Sequence, residues 1–388
     1  MFSLRALGSN GSGQLGIGHK EDVSAPEPVL LPFSPTDACQ RLKQLAAGGN
    51  HTILLFQSGD LLWSGDDTTG ACGPTGDTTA ADRHESPSTQ PPPPRFRPVD
   101  LTSLPPGAKP FLVAATWTAT VVVASDPSSH HAHRVYTFGT GTKGELGLGP
   151  DTTHAPFPSL VAGFPPPGTQ ITDISSCMGH VVAVLSNGEA WGWGNGRKGQ
   201  LGEPATHAVF SPRKIEGVGF RVVKAVCGRE FTVLLGPSES GDMIVMGSDK
   251  WGVRSQAPST SSPSGGVAGW KEVGAGWGSV IVLKHNGVLL GWGRDDHGQL
   301  PRGNLGPVKH IAVGSEHALA LTEGNELIAW GWGEHGNCGP IRNEKGEKGE
   351  CNVIATATQE ADITGIGAGC ATTWIAFESQ TRAIPSQN

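Results

Sequence analysis

Two short patterns alternate along this chain, and each returns seven times within 388 residues. The first is an apolar strand that ends in glycine and runs into a glycine-rich loop. It reads Leu7-Gly8 through Gly13-Gln14-Leu15-Gly16, then Phe138-Gly139 through Gly144-Glu145-Leu146-Gly147. It returns as Trp193-Gly194 through Gly199-Gln200-Leu201-Gly202 and as Trp292-Gly293 through Gly298-Gln299-Leu300, with degenerate copies at 65–73, 247–252 and 333–339. The second is a small-residue turn that leads into an apolar strand. Its clearest copies are Ala47-Gly48-Gly49-Asn50-His51-Thr52, Ser176-Cys177-Met178-Gly179-His180 and Val313-Gly314-Ser315-Glu316-His317, and weaker ones begin at Ala114, Cys227, Ala275 and Ala368. Copies recur at roughly 40 to 75 residues, within the range of propeller repeats that carry loop insertions.

A hairpin joins the two patterns. His51 to Phe56 leads through Ser58-Gly59-Asp60 into Leu61-Leu62-Trp63, and the same hairpin uses Asn187-Gly188 and Asn286-Gly287. Asn-Gly between apolar runs is a strong hairpin signal, because both turn positions need positive φ. One residue before the loop glycine stand Leu7, Ser64, Phe138, Trp193, Met246, Trp292 and Trp332. Alternation along a strand then puts bulky rings on one face and glycine on the other. Bulk on one blade fits bare backbone on the next, which suits stacked blades. Residues 1–8 carry only the glycine-ended strand and residues 368–377 only its partner, so the two termini together make one hairpin. The expected fold is all-β: a seven-bladed propeller over 1–378, closed by strands from both termini, which leaves no open sheet edge at the seam. The Pro-rich stretch 68–110 reads as a surface insertion in blade two, and 379–388 as a flexible tail.

Composition agrees. Glycine supplies 57 residues, about twice the usual share. The net charge of −7 opposes a direct grip on nucleic acid or an anionic membrane. No apolar run is long enough to span a bilayer. The N-terminus enters a strand directly, so no signal or transit segment is expected. Seven scattered cysteines without a CxxC pair suit reduced thiols in the cytoplasm and nucleus.

The GxxxxGQLG loops, the GxxHT turns and the segment Trp330 to Gly339 resemble the regulator-of-chromosome-condensation propeller family over nearly the whole chain. That resemblance implies seven blades and strand exchange between the termini. It leaves function open, since members include a guanine-nucleotide exchange factor for a nuclear GTPase and many interaction modules. A narrower resemblance lies at Gly8-Ser9-Asn10-Gly11, Gln14-Leu15-Gly16, Gly18-His19, Glu21-Asp22 and Pro26. These residues look like the opening of the fungal α-tubulin-suppressor, or killer-toxin-insensitivity, family. That family implies a heterodimer with the small metal-binding protein of diphthamide synthesis. It further implies support for diphthamide formation on elongation factor 2 and, through that partner, for Elongator-dependent modification of tRNA wobble uridines.

Topology places the small-residue turns and the glycine loops at one end of the ring. Departures from the repeat there (Trp117, Trp277, Arg229, Glu230 and Trp251), with His180, Glu316 and His317 of the same turns, mark a candidate partner surface. Aromatic residues beside charge suit an interface core, although each ring has the alternative of packing over its own blade. His51, His180 and His317 share one repeat position, for which a copied hydrogen-bonding role is the simpler account. His130-His131-Ala132-His133 has the composition of a metal site, but a solvated loop is the stronger account. Asp66-Asp67 and Asp295-Asp296-His297 fall in glycine loops, where Asp caps turns. Gly8-x-x-Gly11-x-Gly13 precedes no helix and is not read as a phosphate loop. No nucleophile elbow or zinc-protease motif occurs, so neither catalysis nor a cofactor nor a metal is expected. A nucleotide exchange factor for a small GTPase is the alternative, and a hydrolase built on a propeller has no residue pattern behind it.

Overall fold

The computed structural model describes residues 2–33, 40–74, 92–128, 132–259, 266–303, 305–340, 351–358 and 361–379. Seven antiparallel sheets follow one another as the blades of a propeller, and among the described residues there is no α-helix. Blade four is representative: Ile171–Cys177 lies innermost, then His180–Leu185, Ala190–Gly196 and Thr206–Lys214. The second strand, HVVAVL, is buried throughout. It is flanked by neighbouring blades on both faces, so its apolar residues form a continuous run instead of alternating.

Blade one closes the ring. Its order is Val23–Pro28, Phe2–Gly8, Thr372–Ser379, Ala361–Ala368. The two terminal strands pair without a break from Phe2↔Glu378 to Gly8↔Thr372, as the half-repeats at the ends require. Among the described residues, blades five (Lys224–Cys227, Phe231–Leu235, Met243–Gly247) and six (Trp270–Ala275, Ser279–Lys284, Leu289–Gly293) have three strands each, and the other five have four.

Rings and glycines interlock between blades. Trp193 and Trp330 are fully buried. Trp193 Nε1 donates to the Glu145 carbonyl at 3.0 Å, and Trp330 Nε1 to the Gln299 carbonyl at 3.0 Å, each reaching the preceding blade's glycine loop. The Trp193 ring lies on Gly147 of blade three, where a Cβ would stand 3.1 Å from the indole, and within blade four Gly194 sits at φ +102, where a Cβ would meet the Gly179 carbonyl oxygen at 2.4 Å; only glycine fits at 194. Innermost strands are stitched by side chains. Gln44 both donates to and accepts from the Val113 backbone, while Asp173 accepts from Ala225 N and Glu272 from Ile311 N.

Two sequence expectations need correction. In blade seven the strand glycine is Gly331, opposite His317, so Trp330 is the buried column residue and Trp332 enters the loop, 37% exposed. The Pro-rich stretch is not all surface insertion. Phe96 is fully buried, Arg97–Pro98 pairs with Leu62 and Trp63 as the outer strand of blade two, and Pro110 begins the inner strand of blade three. Phe96 packs with Trp374 edge to face at 5.9 Å, which ties the segment to the closing blade. Residues 75–91 of that stretch and 380–388 of the tail lie outside the described residues.

Candidate protein-binding face

The turns that follow the innermost strands hydrogen-bond to one another around the ring. Gly49 N donates to Trp117 O, and Trp117 N to Met178 O; Arg229 N donates to Trp277 O, Trp277 N to Ser315 O, and Ser315 N to Gly369 O. Backbone therefore fixes where Trp117 and Trp277 leave the chain. Their rings meet over the central channel at 6.0 Å between centroids, inclined by 42°. Trp117 is 37% exposed and lies across Gly49, where a Cβ would stand 2.6 Å from the indole. The Arg229 guanidinium covers the outer face of Trp277 at 5.4 Å. Beneath the pair runs a channel of about 220 Å³, lined by small residues and by Cys177, Cys227 and Cys370. Burial pushes the Cys177 thiol well above its ordinary range and that of Cys227 up to about 12.

Trp251 has a distinct local origin. In blades one, three, four and six, a residue after the loop's central glycine accepts a backbone N–H two positions back: Gln14 from Ser12, Glu145 from Lys143, Gln200 from Lys198, Gln299 from His297. Blade five has Val253 there, which has no acceptor. Asp249 accepts from Arg254 N at 2.8 Å, as Asn10 and Asp295 do in their loops, and also from Ser255 N at 3.0 Å. Trp251 adopts φ +72, is 41% exposed, and rests on Gly278 of the next blade. A bulky residue in the left-handed region is a strained outlier, and such outliers cluster at functional sites.

Arg294 lies between two exposed indoles, 4.7 Å from Trp251 and 6.0 Å from Trp332. Its guanidinium pairs with Asp296 at 2.6 Å and with the buried Glu316. Glu316 also accepts from Gln299 Nε2 at 2.9 Å. The guanidinium, first among its partners, holds the Asp296 carboxyl well below the usual range. His297 stacks on Trp332 at 4.3 Å. Arg229 and Glu230 border two clefts, one shared with Trp251 and Trp277, the other with Trp117, Lys143 and Arg197. Arg197 pairs with Glu230 at 3.5 Å.

Six of the eight candidate residues thus gather at this end. Five present side-chain surface there, and Glu316 lies just beneath as an anchor. His180 and His317 are the exception and are corrected: they are buried and offer a partner no surface. Each points into the next blade, where His51 Nε2 meets Thr120 Oγ1, His180 meets Thr232 and His317 meets Thr373, at 3.2, 3.0 and 2.9 Å. Of the histidine run, His133 accepts from Ile171 N at 3.1 Å, and His130 and His131 lie outside the described residues. Arg294 and Trp332 were missed from sequence. Counting five residues back from Gly336, as Gly8 precedes Gly13, places the strand glycine at 331 and releases Trp332 to the loop.

The model of the RCC1-like domain matches residues 3–375. The chain belongs to the RCC1-like domain family. An RCC1 repeat-containing protein of Schizosaccharomyces pombe is 30% identical over 303 residues, 76% of this chain and 78% of that protein. The mouse secretion-regulating guanine nucleotide exchange factor is 26% identical over 316 residues, 77% of this chain and 61% of its own length. The solved structure of Prp20p from Saccharomyces cerevisiae superimposes with a TM-score of 0.76 at 21% identity, covering 98% of this chain and 92% of that one. At that identity the likeness concerns the RCC1-like fold alone.

Proposed function

We propose that this RCC1-like propeller is a non-catalytic protein-binding module, and that its partner is the small metal-binding protein of diphthamide synthesis. In that role it supports diphthamide formation on elongation factor 2 and, through the partner, Elongator-dependent wobble-uridine modification, in cytoplasm and nucleus. The observation that carries the binding reading is the tilted Trp117–Trp277 pair, partly exposed over the channel mouth and bordered by Arg229. Aromatic and arginine side chains at the centre of one face suit an interface core. The partner's identity is supported by the opening residues Gly8 to Pro26, which resemble the α-tubulin-suppressor family. Co-expression with the diphthamide metal protein followed by gel filtration tests the reading. Co-elution as a 1:1 complex is expected, and separate elution at micromolar concentration would exclude it.

The second reading is a guanine-nucleotide exchange factor, favoured by the relative that bears that name. Release of a fluorescent guanine nucleotide from a small nuclear GTPase measures it directly, and strong acceleration would reverse the order of the two readings.

A further inference from the structure

Between blades five and six the loop end holds a cleft of about 320 Å³, walled by Trp251 and Trp277 and rimmed by Arg229, Lys250 and Glu230. The carboxylates around it are already engaged. Glu230 pairs with Arg197, Glu316 with Arg294 and Gln299, and Asp249 accepts two backbone N–H groups. The cations are in a different state. Arg229 and Lys250 lie over the indoles of Trp277 and Trp251, at 5.4 and 5.0 Å. Neither they nor Lys143 and Lys198 of the neighbouring loops form an ion pair among the described residues, and all four are exposed. A chain of net charge −7 therefore presents unpaired positive charge in this sector, beside exposed aromatic surface.

We propose that this cleft receives an acidic segment of a partner protein: a carboxylate side chain between Arg229 and Lys250, with an adjacent apolar or aromatic residue against Trp251 and Trp277. The inference rests on the protein-binding reading and adds the chemistry of what is bound. A carboxylate completes charge-assisted hydrogen bonds that no internal group makes. The indole walls, already polarised by the cations above them, take an apolar neighbour edge-on or offset. A nucleic-acid strand fits less well, because a chain of net charge −7 opposes an extended phosphate backbone. The strained backbone of Trp251, held out over Gly278, keeps one wall in place before the partner arrives.

Two measurements on the full chain test this. A random peptide library displayed on phage is selected against the immobilised protein and against Arg229→Glu/Lys250→Glu. Asp or Glu next to an apolar or aromatic residue should be enriched on the native chain and lost on the double variant. Enrichment without acidic residues, undiminished enrichment on the double variant, or no enrichment would overturn the proposal. In parallel, affinity for the diphthamide metal protein is measured at low and high salt. Charge reversal is expected to weaken it at least 10-fold at low salt and to flatten the salt dependence. If the complex forms and neither quantity changes, the cleft proposal fails while the heterodimer stands. If acidic peptides are selected but the diphthamide metal protein does not bind, the cleft proposal stands and that partner is wrong.

Discussion

His180 Nε2 lies 3.0 Å from Thr232 Oγ1, and the contact crosses from blade four to blade five. Its copies join His51 to Thr120 and His317 to Thr373. Burial lowers the pKa of all three histidines from 6.5 to about 4. The folded ring keeps them neutral, whereas the unfolded chain takes up protons near pH 6.5. Stability is thus intact above pH 6.5 and is lost as pH falls from there towards 4. At pH 5 the loss is about 2 kcal/mol per histidine, from the free energy of a pKa shift. Urea unfolding at pH 7.5 and pH 5 should show a large drop in midpoint. His180→Gln should be less stable at pH 7.5 and should narrow the difference between the two pH values; an unchanged difference would show that this histidine is not held neutral.

Trp251 offers a case where an aromatic residue is not needed for folding. Removing a buried tryptophan costs roughly 3–5 kcal/mol. Trp251 is 41% exposed at φ +72, and relief of that strain offsets roughly 1–2 kcal/mol of what its cation–π contacts contribute. Trp251→Asn, which tolerates the left-handed region, should therefore leave the unfolding midpoint within about 1 kcal/mol of native. A loss near 3 kcal/mol would assign the indole to the core.

The ring was legible because its signals are local and repeated. The Trp-Gly alternation, the Asn-Gly turns and the split terminal hairpin each specify backbone geometry from neighbouring residues alone. Blade seven shows where that fails: Trp330 and Trp332 are equivalent by period two, and only the spacing from Gly331 to Gly336 decides which is buried. The candidate face was legible in part for a similar reason. Trp117, Trp277 and Trp251 break a pattern and so stand out. Arg294 breaks none, and its place between Trp251 and Trp332 depends on loops from three blades. His180 and His317 misled because a polar residue at a turn reads as surface, whereas here each ring is buried and its Nε2 meets a threonine on the next blade.

Trp277→Ala separates binding from folding. The backbone of Trp277 carries the turn-to-turn bonds from Arg229 and to Ser315, and these survive the substitution. Its ring is shared between Trp117 and Arg229 at the channel mouth. Loss of a central aromatic anchor typically costs 2 kcal/mol or more, roughly 30-fold in affinity. Affinity for the diphthamide metal protein should fall by about that factor with an unchanged circular dichroism spectrum. Unfolding would show instead that the ring is structural.

Arg294 and Glu316 test the anchor beneath that surface. Glu316 is buried at 7% exposure and is neutralised by Arg294, with Gln299 as its remaining side-chain donor. Truncating the arginine strands a buried carboxylate, which costs roughly 3–5 kcal/mol in a fully buried pair and less here, because the Arg294 side chain retains some solvent contact. Arg294→Ala should therefore destabilise the ring by about 2–3 kcal/mol. Glu316→Gln in the same chain removes the stranded charge and keeps the contact to Gln299, so the double variant should be more stable than Arg294→Ala alone. That non-additive pattern is the signature of a coupled pair. If the two substitutions simply add, the guanidinium acts through its contacts with Trp251 and Trp332, and Glu316 is held by the loop without it.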